Sequence, residues 1–445
     1  MQQLKSDKMG TTPMLKLIIS MSIPAMFSML VQSLYNVVDS IFVGKIGPDS
    51  FAAVSFAYPI QMFMIAVAVG TGVGINSLIS RKLGEQNRQE ADSTSTHGII
   101  LALASWLLFL FIGIFGSRAF MQSCTTNPNI INLGCEYIEV VTICSIGLFM
   151  EITISKTLQA TGNMINPMIA QLIGAITNIV LDPILIFGFD MGVKGAAIAT
   201  VIGQCFSMIY DLIIIFTKSH DIHISFKNFK LDPKIIKQIY IVGFPSIIMQ
   251  SIAALLTTLL NNLLNTFSVS AVSVLGVYYK MQSFVFMPIF GLTHGVMPIM
   301  GYNYGAKNKK RLMSALKISV AIAIIIMSLG TALFMILPKQ ILLIFNATPE
   351  MLEIGVRALR TICLCFIPAA LGIMFSTLFQ AVGMGIKSLF ISALRQLIVI
   401  LPAAYLFAQI GLNYVWFAFP LAEFIALIVS IFIIKSLYKN HIRDL

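Results

Sequence analysis

Long apolar runs alternate with short polar gaps along almost the whole chain. A helix that crosses a bilayer needs ~20 apolar residues. That length rule predicts helices over 15–43, 52–80, 97–120, 131–156, 165–188 and 193–217. A charged stretch containing KNFKLDPK fills 218–237, and six more helices are predicted over 238–265, 272–301, 312–337, 351–380, 386–410 and 413–437. The pattern is that of an all-α integral membrane protein with twelve transmembrane helices. It divides into an N-terminal six-helix unit (1–217), a cytoplasmic linker (218–237) and a C-terminal six-helix unit (238–445).

The two units are repeats. Pro24 recurs as Pro245, 221 residues later (245 − 24), and the same shift carries Tyr58 to Tyr279, Gln61 to Gln282 and Phe63 to Phe284. It also carries Gly70 to Gly291, Gly74 to Gly295, Gly84 to Gly305, Asn87 to Asn308 and Pro128 to Pro349, and Gln159-Ala160-x-Gly162 to Gln380-Ala381-x-Gly383. One offset held across six predicted helices indicates homologous halves. Each half has an even number of helices, so the two enter the membrane in the same direction. They are parallel repeats about an axis along the membrane normal, and a site between them can open alternately to either side. A duplicated bundle could also serve as a scaffold, but halves this long suit rocking against each other.

Composition agrees with a lipid-facing surface: 58% of residues are hydrophobic and 11% charged, against about 25% charged in soluble domains. The net charge of +11 lies in the polar gaps rather than on one nucleic-acid-binding face. Lys5, Lys8 and Lys16 precede the first helix, Arg81, Lys82 and Arg88 follow the second, and Lys218, Lys227, Lys230, Lys234 and Lys237 follow the sixth. Lys307, Lys309, Lys310 and Arg311 follow the eighth, and Lys435, Lys439 and Arg443 close the chain. An even helix count puts all of these on one side, and the opposite loops hold little beyond Lys45, Arg118, Lys194 and Lys339. The positive-inside rule then predicts a multi-pass protein of the plasma membrane with both termini cytoplasmic and no nucleic-acid partner. The polar start leads into the first apolar run without a small-residue cleavage site, so it reads as a tail, not a signal peptide. Cys124, Cys135, Cys144, Cys205, Cys363 and Cys365 form no CxxC or Cys/His cluster, so no metal or disulfide role is expected.

Ionisable groups inside a bilayer are costly and each asks for a reason. Asp39 is predicted near the outer end of the first helix, Asp182 near the outer end of the fifth and Thr200 two turns into the sixth. Asn36 shares a face with Asp39, and Asn178 shares one with Asp182. Five polar groups from three helices at one depth can supply oxygens to a proton or to Na⁺, with Asp39 and Asp182 as the carboxylates. The repeat places Leu260, Val399, Ala403 and Leu421 at the positions equivalent to Asp39, Asn178, Asp182 and Thr200, so the fold does not require the polar set. The competing structural reading is a cluster that locks three helices together. As a coupling site, the two carboxyls are expected to exchange protonation states in the working pH range and so bias helix packing.

Glu151 lies near the inner end of the fourth helix with Lys156 nearby, where snorkelling or an ion pair explains it. Arg395 and Glu423, at middle depth on helices eleven and twelve, either pair as a structural bridge or line a second-half cavity. His294 precedes Gly295 and reads as a hydrogen-bonded core histidine. The 25 methionines suit an adaptable pocket, although each alone fits a core or lipid-facing position. Prolines 24, 245, 288 and 298 and glycines 70, 72, 74, 291 and 295 are expected to break or bend spans. The chain has no GxxxxGK[ST] loop for ATP and no HExxH or nucleophile elbow, so no enzyme and no cofactor is expected.

The segment IPAMFSMLVQSLYNVVDSIFVGKIG, with Asp39 ahead of Phe42-Val43-Gly44, resembles the first helix of the multidrug and toxic compound extrusion (MATE) transporters. QATGN at 159–163, TNIVLDPILIFGF at 177–189 and GAAIATVIGQ at 195–204 extend the likeness over nearly the whole chain. The resemblance implies two six-helix lobes in a V, exporting cationic or amphipathic small molecules against H⁺ or Na⁺. It carries the family's N-lobe cation site onto Asp39, Asn178, Asp182 and Thr200. Some members place an acid on helix seven, where this chain reads Ile252, Ala253 and Ala254. The expected unit is a monomer whose partners are its substrates and the lipid bilayer. The alternative is a lipid-linked oligosaccharide flippase of the same helical plan, which calls for a strongly cationic cavity; a passive channel or scaffold would tolerate neutral substitutions at Asp39 and Asp182.

Overall fold

The computed structural model describes residues 7–217, 222–227 and 229–443, without the side chains of Asp7, Asn36, Val37, Ser40 and Ala254. The expected linker therefore falls partly outside the described residues, at 218–221 and 228. The spans are α1 (Met14–Ile46), α2 (Pro48–Gly84), α3 (Arg88–Cys124), α4, α5 (Ile165–Gly188) and α6 (Gly192–Thr217). They continue with α7 (Pro233–Asn265), α8 (Val269–Gly305), α9 (Lys309–Ile336), α10 (Pro349–Ala381), α11 (Gly385–Ala408) and α12 (Leu412–Ile442). Helix α4 is a pair, Pro128–Ile143 and Ile146–Ala160, bent by 44°, and counting it as one span gives up to twelve. Two short helices, Asp7–Thr11 and Pro338–Ile344, lie outside the predicted runs.

Several helices overrun their apolar stretch because the cap lies in the polar gap. The Asn87 side chain accepts from the Glu90 N–H at 3.2 Å, and Asn308 accepts from the Arg311 N–H at 3.1 Å. Asp232 likewise accepts from the Lys234 N–H at 2.8 Å at the start of α7. Each cap satisfies an N–H that the first turn leaves free. The α4 bend frees a carbonyl inside the membrane region, and Trp106 Nε1 donates to it (Ile143 O, 2.8 Å).

The offset of 221 reappears in the backbone. Gln86 and Lys307 take φ of 58° and 53°, and Gly162 and Gly383 take 82° and 84°. Asn129 Nδ2 donates to Asp49 Oδ2 at 2.7 Å, while at the equivalent positions Ser270 Oγ donates to Glu350 Oε2 at 2.7 Å. Donor and acceptor have changed places, yet the same two helices are tied at the same point.

The repeated glycines do not break α2 and α8, which run unbroken over Pro48–Gly84 and Val269–Gly305. They form the seam between the chain halves instead. A Cβ on Gly70 would meet Ile247 and the Gly243 carbonyl, and one on Gly74 would strike the Ile239 carbonyl. A Cβ on Gly291 would meet Met26, and one on Gly295 would meet Ser22. Subtracting 221 from 247 and 243 gives 26 and 22, so both contacts are one contact made twice. At the basic end, Gly84 abuts the Tyr302 carbonyl and Gly305 the Arg81 carbonyl, again equivalent positions. Ser77 Oγ adds a cross-seam bond to Gln380 O at 2.6 Å.

The two halves are filled differently. Tyr278, Phe286, Phe334, Phe366 and Phe419 interlock in the second half, with ring centroids 5.2–6.4 Å apart and mostly edge-on. The first half encloses a cavity. Large apolar side chains such as Phe115, Phe216, Leu329 and Ile398 stay exposed on the outside, as a lipid-facing surface requires.

A side chain added at the seam must push a pair of backbones apart, which is costlier than displacing a side-chain tip. Gly74→Ala and Gly295→Ala are therefore expected to lower the melting temperature of purified protein, with a cost of about 1–3 kcal/mol for overpacking. Gly276→Ala, whose added methyl meets nothing within 4 Å, should leave melting unchanged or raise it.

Candidate functional site

Helices α1, α5 and α6 bring the polar set together by register. Asp39 lies seven residues before the α1 terminus at Ile46, Asp182 six before Gly188, and Thr200 eight after Gly192. At ~1.5 Å per residue all three sit about 10 Å from the same end, deeper by a turn than the sequence reading put Asp39 and Asp182. The chain is weakened beside Asp182: Pro183 has no N–H to give, and a π-helical turn follows at Ile184–Gly188.

Asp182 is fully buried, and Asn178 and Thr200 are buried beside it. With its nitrogen towards Asp182, the Asn178 amide donates to Oδ2 at 3.1 Å, and its oxygen accepts from Thr200 Oγ1 at 3.2 Å and the Thr200 N–H at 3.1 Å. The Asp39 carboxyl reaches that of Asp182 closely enough to share a hydrogen bond, while Asp39 Oδ1 has no partner among the described residues. Two carboxyls, an amide and a hydroxyl thus converge, a donor set suited to a proton or a small hard cation. The Asn36 side chain lies outside the described residues.

Three members of this cluster were missed by sequence reading. Tyr35 lies beside Thr200 and both aspartates. Tyr137, from α4, faces the same pair and donates to Gln61 Oε1 of α2 at 3.3 Å. Uncharged side chains in an apolar helix carry no penalty large enough to flag them, though Gln61 did stand out as half of a repeated pair.

The cluster forms one end of a cavity of about 540 Å³ that α1, α2, α4, α5 and α6 line, with His294 reaching in from α8. Met29, Met62, Met164 and Met168 contribute flexible thioethers. Gln171 Nε2 donates to Gln32 Oε1 across it at 2.9 Å. Glu151, Lys156 and Gln159 lie on its wall. The expected Glu151–Lys156 ion pair is replaced: Lys156 Nζ lies 3.1 Å from Gln159 Oε1 and 3.1 Å from His294 Nδ1. Lys156 does not snorkel either, since it is buried. His294 is hydrogen-bonded as expected, but on the cavity wall. Arg395 and Glu423 do pair, Nη1 to Oε1 at 3.0 Å, tying α11 to α12. Asp211 on α6, fully buried and bonded by Ser155 Oγ at 2.7 Å, was not anticipated. Its place six residues from the α6 terminus at Thr217 looks interfacial in sequence.

In the second half the equivalent positions are apolar: Leu260 and Ala403 are buried, Val399 packs against the core and Leu421 is exposed. The polar cluster thus belongs to one half only.

A family model described as MatE matches residues 24–184 and 245–406, two segments that begin 221 residues apart. The multidrug export protein MepA of Staphylococcus haemolyticus (strain JCSC1435) is 24% identical over 424 residues, covering 95% of this chain and 93% of that protein. A solved structure of MATE in complex with MaL6 matches with a TM-score of 0.93 at 29% identity, over 98% of this chain and 100% of the other. An outward-facing multidrug resistance MATE family transporter of the MOP superfamily matches with a TM-score of 0.93 at 28% identity, over 99% and 100%. With both halves matched by the family model and the full length superposed on its solved members, this chain belongs to the MatE family of membrane transporters.

Proposed function

We propose that this transporter is a secondary active exporter that exchanges cationic or amphipathic small molecules for H⁺ or Na⁺ by alternating access. The observation that carries this is the pairing of Asp39 with Asp182, two carboxyls without a basic partner in contact, at one end of a cavity sized for a small molecule. Charge there must be compensated by something that can come and go. The relatives' multidrug export and the asymmetry of the halves support the same reading.

The moving parts are lobes 1–217 and 238–445, joined by a linker over 218–237. The glycine seam closes the basic end, so the conformation is one with its cavity reached from the other side, in keeping with the outward-facing relative. The basic end faces the cytoplasm under the positive-inside rule. Asn303 Nδ2 holds Met9 O at 3.1 Å, and Lys309 Nζ holds Arg443 O at 2.9 Å. Both bonds support chain ends on that same cytoplasmic side of the plasma membrane. The transporter works as a monomer, each copy carrying its own cavity. Cation loading at Asp39 and Asp182 changes the packing of α1 on α5 and α6, and the weak turn after Pro183 gives α5 freedom to follow.

A lipid-linked oligosaccharide flippase is disfavoured. Its pyrophosphate cargo needs several cationic groups, whereas the basic side chains on the cavity wall are Lys156 and His294, and Arg395 is held by Glu423.

Proteoliposomes given an outside-directed or inside-directed H⁺ or Na⁺ gradient provide the test, with ethidium as cargo. Gradient-driven export should follow one of the two ions and fall at least tenfold in Asp182→Asn. Export that persists in the mutant would sink the assignment of Asp182, and wild-type movement independent of both gradients would sink coupling itself. The cavity is checked separately. Met168→Trp should weaken tetraphenylphosphonium binding about tenfold by filling apolar space, roughly 1.4 kcal/mol, while gradient-independent properties such as the melting temperature stay put.

A further inference from the structure

At the end of the cavity nearest the seam, Ser155 Oγ lies 2.7 Å from Asp211 Oδ2 and 3.4 Å from Glu151 Oε1. Asp211 is 0% exposed, and its Oδ1 has no hydrogen-bond partner among the described residues. Glu151 and Ser155 line the cavity, so the buried aspartate is connected to that space through the serine hydroxyl. On α6, Asp211 stands about 16 Å from Thr200 (211 − 200 residues at ~1.5 Å each). The inner pair is a separate cluster from Asp39 and Asp182.

We infer that Glu151, Ser155 and Asp211 form a second proton-binding site of the transporter.

Hydrogen-bond directions carry the assignment. A serine hydroxyl has one hydrogen and two lone pairs. It can donate to only one of the two carboxyls, so both contacts are satisfied only if the other carboxyl brings a hydrogen of its own. One proton shared between Glu151 and Asp211 completes the chain: one acid donates to Ser155, and Ser155 donates to the other. With both carboxyls ionised, one of them would face an oxygen that has no hydrogen left to give. A metal cation does not fit, because the 2.7 Å Ser155–Asp211 bond leaves no gap between the oxygens and such an ion gathers about six oxygens.

The charged and polar groups around the site make their hydrogen bonds elsewhere. Lys156 on the same helix is turned to Gln159 and to His294 of α8. Tyr210, the residue before Asp211, donates its hydroxyl to Asn166 Oδ1 at 3.2 Å. From α3, His97 is occupied by Ser93 O at 2.7 Å and the Asp232 N–H at 2.8 Å. From α2 comes the neutral Asn76, whose Nδ2 donates to Lys156 O at 3.0 Å.

The Lys156–His294 contact couples this site to the seam, since His294 belongs to the other half. With the seam closed, His294 holds the ammonium away and the inner pair loads a proton from the cavity. When the seam opens, His294 withdraws and Lys156 is free to turn to Glu151. An ammonium beside the carboxyl favours its ionised form, so the proton leaves towards the cytoplasm. This coupling role rests on the exporter reading above; the existence of the site does not.

Infrared difference spectra between acid and alkaline pH, recorded on the full-length protein in lipid without substrate, test the site. The carbonyl stretch of a protonated carboxylic acid should remain in an Asp39→Asn/Asp182→Asn double variant and lose intensity when Glu151→Gln or Asp211→Asn is added. Ser155→Ala, which removes only the linking hydroxyl, should shift that band and covers the case in which a carboxyl variant fails to fold. A band indifferent to all three changes overturns the proposal. The role is read from protons moved per ethidium exported, which should fall by one in Glu151→Gln relative to wild type. A band that responds alongside an unchanged ratio overturns the coupling role and leaves a fixed structural proton. Failure of wild-type protein to export at all strikes the exporter reading, and the infrared result still decides the site.

Discussion

Two long helices, one from each half, bring glycine backbones directly against the partner half. Gly70 and Gly74 of α2 lie on α7, and Gly291 and Gly295 of α8 lie on α1. In lipid there is no hydrophobic drive to bring helices together, so association depends on close van der Waals packing, which small residues permit. That closeness holds the two halves together at the basic end and brings His294 within 3.1 Å of Lys156.

The repeat makes the two halves equivalent as scaffolds, and their interiors then diverge. In the second half, aromatic rings fill the space, and Leu260 and Ala403 take the places of the two aspartates. In the first, Asp39, Asn178 and Thr200 line an open volume, with Asp182 buried behind them. Apolar packing fills one half while the other keeps an open, partly polar volume. A transporter needs both properties, and duplication allowed them to be assigned to different copies of one plan.

Carboxyls mark two places in the first half. In each, a half-buried acid on the cavity wall (Asp39 or Glu151) is associated with a fully buried one (Asp182 or Asp211). Asp39 and Asp182 adjoin the π-helical turn of α5; Glu151 and Asp211 adjoin a lysine held by the opposite half. Charge in a low-dielectric setting is expensive unless compensated, so gaining or losing a proton at either pair would act strongly on local packing. The Arg395–Glu423 pair is compensated internally, and it joins helices of the packed half rather than facing the cavity.

Much of this was legible in the sequence, because bilayer physics writes itself into one dimension. Apolar run length located the spans, and the offset of 221 located the repeat. The cost of intramembrane charge singled out Asp39 and Asp182, with Asn178 and Thr200 added by helical spacing. Depth along a helix is a one-dimensional property, so their meeting was foreseeable. Direction around a helix relative to distant neighbours is not. The glycines looked like helix breakers until the partner backbones lay against them. Lys156 looked like a partner for Glu151 until α8 offered His294 and Gln159 filled its remaining position. Asp211, six residues from the end of α6, drew no notice in the sequence, and Ser155 of α4 bonds it in the fold. Only the tertiary fold could decide these, because each depends on which atoms from remote segments occupy the same few ångströms.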